Sequence, residues 1–541
     1  MAGGETEIRL SGHCRGKRYG NKPGATGSHF GFLSAPAAGP APNLRRMASF
    51  TALIPTSLSQ LRKPWPAHWR VLATLALYAA YLPLSGYGPG QLRYDAAEYW
   101  ELSLKFTQHG GFSLLAFDEP LRGYFGPLLI LPARLLCHFT GWSMLTGARV
   151  LGAGWAAALF GLALPDLWAR ASGRPLNGGR WLALLALGFI FWRDYFNFTL
   201  SDMPALSLLL LGLLALGRRG WGWAGLAGAL LAGAINIRPI YVAALPGVVG
   251  LVLLGWAGAQ HWRRQAGVLV ALAAGAALLL LPQLLINQRF FGQRSPLVLA
   301  QRPGTAPLYL RQLSWGTAFQ RYETSLIPAI PRSLVYADSA GQRMLANVPG
   351  GRFGSYGQFL GFAAAHPLST AARYARHLFN GLDTRYPTPY PTRLHPPGQA
   401  LLRLLNYALL GLGLSLIFRW GKRQKSSLNS NALVLPVEET APHTTILPTR
   451  KSEAMALLVA LLLPCLLTLP TLMECRFLLP LHLLLLTAVA ACWRPGEWWR
   501  RLGSPARRLA VLGLLGVWIW GCWQLSEATA GQRRPPREAP E

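Results

Sequence analysis

Acidic residues are scarce in this chain of 541 residues: Asp and Glu number 21 against 52 Lys and Arg, and charged residues of both signs make up only 13%. Ordinary soluble domains carry about 25% charge, so a water-facing surface of this length is not what the composition describes. Cysteine is sparse as well. Cys14 lies in a polar head, and Cys137, Cys465, Cys475, Cys492 and Cys522 lie in or beside apolar segments. None forms a CxxC pair, which leaves no disulfide framework and no thiolate metal site. Internal repeats are lacking too. Gly351-Arg-Phe-Gly354-Ser-Tyr-Gly357 has no strand pattern before it and reads as a flexible turn instead of a nucleotide fingerprint.

Hydrophobic residues account for 52% of the chain, with 20 Trp. They fall in repeated apolar runs of roughly 16–20 residues bounded by Arg, Gly and Pro, the pattern of a multi-span membrane protein. The net charge of +31 sits mostly in short loops between these runs. Membrane orientation accounts for it better than nucleic-acid binding does, and no nucleic-acid partner is expected.

Basic loops mark the cytoplasmic side: Arg62-Lys63 with Arg70, Arg170 to Arg180, Arg218-Arg219, Arg263-Arg264, Arg419 to Lys425 with Arg450-Lys451, and Arg494 to Arg508. Two crossings between consecutive loops give spans near 71–87, 145–168, 181–198, 203–217, 222–237, 240–257, 266–286, 399–418, 453–470, 478–493 and 509–524. The expected fold is all-α and integral to the membrane, with about eleven transmembrane helices and the C-terminus outside. Gly126 to Thr140 is short and interrupted by Pro127, Pro132 and Arg134; it reads as an interfacial or re-entrant helix. The alternative is a twelfth span with inverted topology.

The expected organisation is a disordered basic cytoplasmic head over 1–65 and a transmembrane core over 66–286 whose first outer loop is 88–144. An extracytoplasmic loop or domain follows over 287–397, then C-terminal helices over 398–524 and a polar tail over 525–541. Met47 is a second candidate start, and 71–86 reads as a retained span, not a cleaved signal. The 287–397 stretch has twelve Arg, no Lys, and Glu323, Asp338 and Asp383 as its only acids. Arg favours planar recognition of phosphate, such as an anionic lipid head group, although a biased genome composition would also enrich it. Its end, Phe379 to Tyr390, reads equally as a lid or as packing on the membrane surface.

Three charged motifs fall at span ends on the same, outer side. Asp95-Ala-Ala-Glu98-Tyr99 opens a helical pattern with Tyr99, Leu102 and Phe106 on one face; it reads either as a capping box or as a pair of functional carboxylates. Ser201-Asp202-Met-Pro204 begins the fourth span, where Ser201 caps and Asp202 complements the helix dipole. Glu474-Cys-Arg476-Phe477 begins the tenth, and its bland reading is a snorkelling Arg beside a dipole-complementing Glu. Arg238-Pro239 is outside despite its charge. Asn197-Phe-Thr199 matches a glycosylation sequon too close to the membrane to serve. Charged groups at span ends are costly to desolvate and commonly mark one site.

From about Val71 to Pro480 the arrangement resembles the GT-C membrane glycosyltransferases, the group that includes protein O-mannosyltransferases and lipid A aminoarabinose transferases. The acidic motif in the first outer loop, Asp118-Glu-Pro120-Leu-Arg122-Gly-Tyr124 after it, Asp202 before the fourth span, and Glu474-x-Arg476-Phe-x-x-Pro480 carry the likeness. Departures are Asp-Ala-Ala-Glu for adjacent Asp-Glu, Phe477 for Tyr, and Arg122 at another offset for the Lys often found near the Pro.

The resemblance implies transfer of a sugar from a polyprenyl-phosphate donor to a hydroxyl of a lipid, glycan or protein acceptor, at the extracytoplasmic face of the plasma (inner) membrane, with inversion. Asp95 is then the first choice for the base, Glu98 the second, and Asp202 an orienting group. Arg122, Arg238, Glu474 and Arg476 would form the donor-phosphate site. No cofactor follows with certainty; a divalent metal is left open by the family, although no His and carboxylate cluster has ligand spacing. The runner-up is a transporter or flippase of lipid-linked saccharides, and the third reading a non-catalytic assembly subunit.

Overall fold

The computed structural model of the chain describes residues 61–87, 92–108, 110–255, 261–325, 332–393, 395–431 and 450–534. The expected head lies outside the described residues up to residue 60, as does the tail beyond 534. Residues 61–65 do not belong to a loose head: the Lys63 carbonyl accepts from the Gly178 amide at 2.9 Å, and Trp65 packs on Trp181 with ring centroids 5.2 Å apart.

The fold is about 75% helical with almost no sheet. The first part comprises α1 (Ala67–Tyr81), α2 (Tyr94–Leu102), α3 (Phe125–Thr140), α4 (Met144–Ser172), α5 (Gly178–Trp192), α6 (Asp202–Leu216), α7 (Trp221–Ile237), α8 (Pro239–Leu253) and α9 (Trp262–Phe291). Then come α10 (Leu308–Ala318), β1 (Phe319–Ser325), β2 (Arg332–Ala337), α11 (Ser339–Ala346), α12 (Tyr356–Ala365) and α13 (Pro367–Leu382). The chain closes with α14 (Gln399–Asn431), α15 (Arg450–Thr468), α16 (Cys475–Cys492), α17 (Pro495–Arg501), α18 (Pro505–Ala530) and β3 (Arg533–Arg534).

Among the described residues five helices are long and apolar enough to cross a membrane: α4, α9, α14 over Gln399–Ile417, α16 and α18. They fall on the expected spans 145–168, 266–286, 399–418, 478–493 and 509–524. The other expected spans coincide with shorter helices. A helix of 15 residues such as α6 reaches about 22 Å, less than the roughly 30 Å of a bilayer core. Only 11% of the apolar window is buried in α9 and in α18, which leaves most of their apolar surface exposed.

Local chemistry explains where the helices begin and meet. Ser143, Asn177 and Ser504 cap α4, α5 and α18 by accepting from Thr146, Arg180 and Arg507 amides. α7 and α9 lie in close contact because Gly228 and Gly275 present no side chain: a Cβ on either would meet Leu272 O or Gly225 O at 1.8 Å. Arg70, expected among the loop charges, is buried inside α1 and paired with Asp166 of α4 at 2.5 Å.

The 287–397 stretch is no open loop. Its strands run antiparallel in the order β1-β2-β3, with an irregularity between Phe319 and Arg321, and Val335 and Tyr336 pair with Arg534 and Arg533. The segment expected as a polar tail therefore continues α18 to Ala530 and then adds an edge strand, which puts residues 533–534 at the same end of the fold as β2. Gly351–Gly354 is a turn, but one pinned by Phe353, which is buried with Leu310, Leu313 and Leu345 and whose amide donates to Ser314 Oγ.

Candidate functional site

The first turn of α2 overturns the capping-box reading. Its N-cap is Arg93, without a side-chain cap, and Asp95 lies inside the helix. The carboxylates turn to arginines instead. Asp95 Oδ1 accepts from Arg122 Nη2 at 3.2 Å and Oδ2 from Arg476 Nη2 at 2.9 Å. Glu98 receives Arg122 Nε at 3.3 Å and Nη2 at 3.1 Å, with that guanidinium over the Tyr99 ring at 5.1 Å. Tyr99, Leu102 and Phe106 form the buried face, as their spacing predicts.

Asp202 arrives from the start of α6. Ser201 precedes it as N-cap but makes no side-chain cap bond, contrary to expectation. Asp202 is 1% exposed; its Oδ2 lies 3.4 Å from Arg476 Nη1, and Arg238 Nη1 pairs with its Oδ1. Arg238, placed by the end of α7 and Pro239, has its guanidinium over Phe477 at 5.0 Å. Glu474 clamps Arg476 through Nε–Oε2 at 2.6 Å and Nη2–Oε1 at 3.0 Å. Arg476 does not snorkel outward: its side chain is 12% exposed. The seven residues selected from sequence thus form one cluster drawn from five separate segments.

Exposure within the cluster is uneven. The side chains of Asp95 and Glu98 are 30% and 37% exposed, whereas Asp202 and Arg476 are closed off. Burial would raise the Asp95 carboxyl, but Arg476, Arg122 and Arg238 outweigh it and hold the group below its ordinary value, ionised at neutral pH. The result is an open carboxylate on a fixed guanidinium frame. Among the described residues no group of three or more His, Cys, Asp and Glu is arranged to hold a metal ion. In this cluster guanidiniums occupy the space between the carboxylates.

Several supporting residues escape sequence reading. Arg122 is followed by Gly123, whose Cβ would meet the Asn236 carbonyl at 2.0 Å. Asn236 Oδ1 accepts from the Phe125 amide at 2.9 Å, and its Nδ2 donates to Gln283 Oε1 at 3.0 Å. Gln283 Nε2 donates in turn to Asn287 Oδ1 at 2.9 Å. This buried amide ladder joins α7 and α9 to the Arg122 segment and fixes where that guanidinium stands. Its signal in the sequence was three lone carboxamides in apolar helices. Thr199, of the sequon, donates to Ala96 O at 2.6 Å and ties α2 to the start of α6, while Asn197 is buried against Asp194.

The strap 383–391 packs against α2 and the 194–198 segment beside the cluster. Tyr390 is 1% exposed, its phenol oxygen accepts from the Ala96 amide at 3.4 Å, and Tyr94 stacks on it. Tyr87 donates to the Tyr390 carbonyl at 3.1 Å, and the Asp194 amide to Pro387 O at 3.2 Å. The strap is anchored by Asp383, which binds Arg321, Arg385, Ser526 and Tyr407. Arg321 and Arg385 are thereby committed to internal pairs, as are Arg373 and Arg376 to Asp338.

A small apolar groove lies between α4, α6, α15 and α16, lined by Leu206, Leu210, Leu457, Pro480 and Leu484 among others. Its upper lining is one turn from Asp202 on α6 and from Arg476 on α16. No family model matches this chain, and no curated protein or solved structure matches it either.

Proposed function

We propose that this chain is an integral-membrane glycosyltransferase of the GT-C type, moving a sugar from a polyprenyl-phosphate donor to an acceptor hydroxyl at the extracytoplasmic face of the plasma (inner) membrane, with inversion. The observation that carries this reading is the convergence of Asp95, Glu98, Asp202 and Glu474 with Arg122, Arg238 and Arg476 at helix ends beside an apolar groove. A lipid-linked anion needs both parts: guanidiniums for the phosphate and an apolar channel for the chain.

In the reaction, the acceptor oxygen attacks the anomeric carbon as its proton passes to Asp95, the bond from that carbon to the phosphate oxygen breaks, and lipid phosphate leaves with the electron pair. Arg476 and Arg238 meet the growing phosphate charge, which is stabilisation by groups already in place. Arg122 holds Asp95 and Glu98 in position. Asp202, buried, orients Arg238 and Arg476. The charges stand at helix ends and not at mid-span, where transporters usually place their ionisable groups.

In this reading the chain crosses the membrane eleven times, α3 lies in the interface, and the site and C-terminus are outside. Pairing of β3 with β2 supports an even number of crossings after residue 397, and the scheme has four. A topology reporter at Gly178 should give a cytoplasmic signal; an outer signal overturns the scheme. The decisive assay is release of free polyprenyl phosphate from a panel of polyprenyl-phosphate sugars by protein in lipid, with candidate acceptors. Release by wild type and not by Asp95→Asn supports the transferase. Absence of release, with lipid-linked sugar moving between leaflets, replaces it with a flippase.

A further inference from the structure

The 287–397 region carries twelve Arg, yet one stretch of it presents no charge at all. From Phe353 to Ala375 the only Asp, Glu, Lys or Arg is Arg373, which is 3% exposed and paired with Asp338. The stretch comprises α12 and the start of α13. Apart from one Gln, α12 consists of Tyr, Phe, Leu, Gly and Ala, and none of its residues is buried. Phe359 and Phe362 lean edge-on against Phe353, at 5.3 and 5.2 Å between centroids, which fixes the helix to the region's own core. Tyr356 and Leu360, one turn apart, are 47% and 65% exposed, and Leu368 at the start of α13 is 84% exposed. Gly357, Gly361, Ala364 and Ala365 are exposed with them. A helix face turned to water normally carries charged or polar side chains, and this one does not.

Printed contacts tie this face to the C-terminal end of α15. Tyr356 meets the Tyr309 ring, 6.4 Å between centroids, and the Tyr309 hydroxyl donates to the Leu467 carbonyl at 2.7 Å. From α13, His377 Nδ1 bonds to Leu469 O at 2.6 Å. Leu466 and Leu467 are themselves 55% and 41% exposed. The exposed apolar residues of α12 are thus joined through Tyr309 to those at the end of an apolar helix. Exposed arginines stand at the two ends of the uncharged stretch, Arg352 before it and Arg376 after it. Tyrosines where an apolar helix ends, and cations only at the margins of an apolar face, are what the boundary between lipid chains and head groups selects.

We propose that α12 and the start of α13 lie on the outer leaflet of the membrane, with Tyr356, Leu360 and Leu368 in contact with lipid. The partner of this face is the bilayer itself. The proposal rests on the reading of α15 as a span whose C-terminal end is outside. It holds the 287–397 region, and through Asp383 the strap beside the cluster, down on the surface from which a lipid-linked donor enters.

The test places a bimane label on one added cysteine at a time in the full-length protein, in nanodiscs of phosphatidylcholine and phosphatidylglycerol. The chain without the added cysteine gives the background. Doxyl groups on lipid chains quench a label in the bilayer, and iodide quenches one in water. Leu360→Cys and Leu368→Cys should be quenched by doxyl lipid about twofold or more over iodide, as for a helix lying in the interface. Arg343→Cys, on the exposed side of α11, should show the reverse. Leu278→Cys on α9, where the leucine is 75% exposed, reports on a span and should follow the doxyl lipid.

Iodide quenching at Leu360→Cys and Leu368→Cys, with doxyl quenching at Leu278→Cys, overturns the proposal and leaves the membrane reading standing. Labels at the first two positions that neither quencher reaches overturn it in favour of a protein partner, a second copy included. Iodide quenching at Leu278→Cys removes the integral-membrane reading, and the proposal falls with it.

Discussion

Around Asp383 two guanidiniums, a serine and a tyrosine enclose a carboxylate that is 0% exposed; around Asp95 two guanidiniums hold a carboxylate whose side chain is 30% exposed. Residue types and bond lengths are much the same in the two clusters. What differs is exposure. Every oxygen of Asp383 is used by the protein, from Arg321 of β1, Arg385 of the strap, Tyr407 of α14 and Ser526 of α18, so the cluster sews the 287–397 region to the C-terminal helices. The oxygens of Asp95 and Glu98 also accept from guanidiniums, but these side chains stay 30% and 37% exposed.

Asp95→Asn should break the comparison most visibly. Turnover in the polyprenyl-phosphate release assay is expected to fall by about 10²–10⁴, with the thermal unfolding midpoint unchanged. An unfolding midpoint that drops with activity would place Asp95 among the structural pairs. Asp383→Asn is the converse: it leaves Arg321 and Arg385 buried without their anion and should destabilise the fold by about 3–5 kcal/mol, read by thermal unfolding in lipid.

Next in size is Gly123→Ala. The added Cβ cannot fit against Asn236, so the Arg122 segment must shift, and a displacement near 1 Å costs rate by about 10²-fold. Wild-type rates for this variant would show that Arg122 needs no such registration.

The smallest effect is in pH. Burial would raise the Asp383 carboxyl, but Arg321 and Arg385 bring it from an ordinary 3.8 down to about 2. The unfolded chain then holds that proton more tightly than the folded one. Stabilisation of about 2 kcal/mol is complete above pH 4 and is lost as pH falls toward 2. In Asp383→Asn this part of the acid sensitivity should vanish from unfolding curves taken across that window.

The members of the cluster were legible because they are charged in a chain that has few charges. Asp95, Asp202 and Arg476 stood out against apolar surroundings, and burial of a charge without purpose is too costly to be common. Local rules misjudged the roles of the same residues. Asp95 and Glu98 have capping-box spacing, yet neither caps: their carboxylates are taken by guanidiniums from distant segments. Asn236 and Gln283 were overlooked because an amide in an apolar helix has no distinctive local pattern.

Composition and periodicity determined that this chain is helical and where its long apolar helices run, because burying or exposing apolar surface is a property each segment carries in its own residues. They determined too which charges are out of place. Only the tertiary structure decided which carboxylates are closed and which open, that 287–397 is folded around Asp383, and that Arg122 rests on an amide ladder between α7 and α9. Those outcomes depend on contacts between residues up to hundreds of positions apart, whose distances no local spacing encodes.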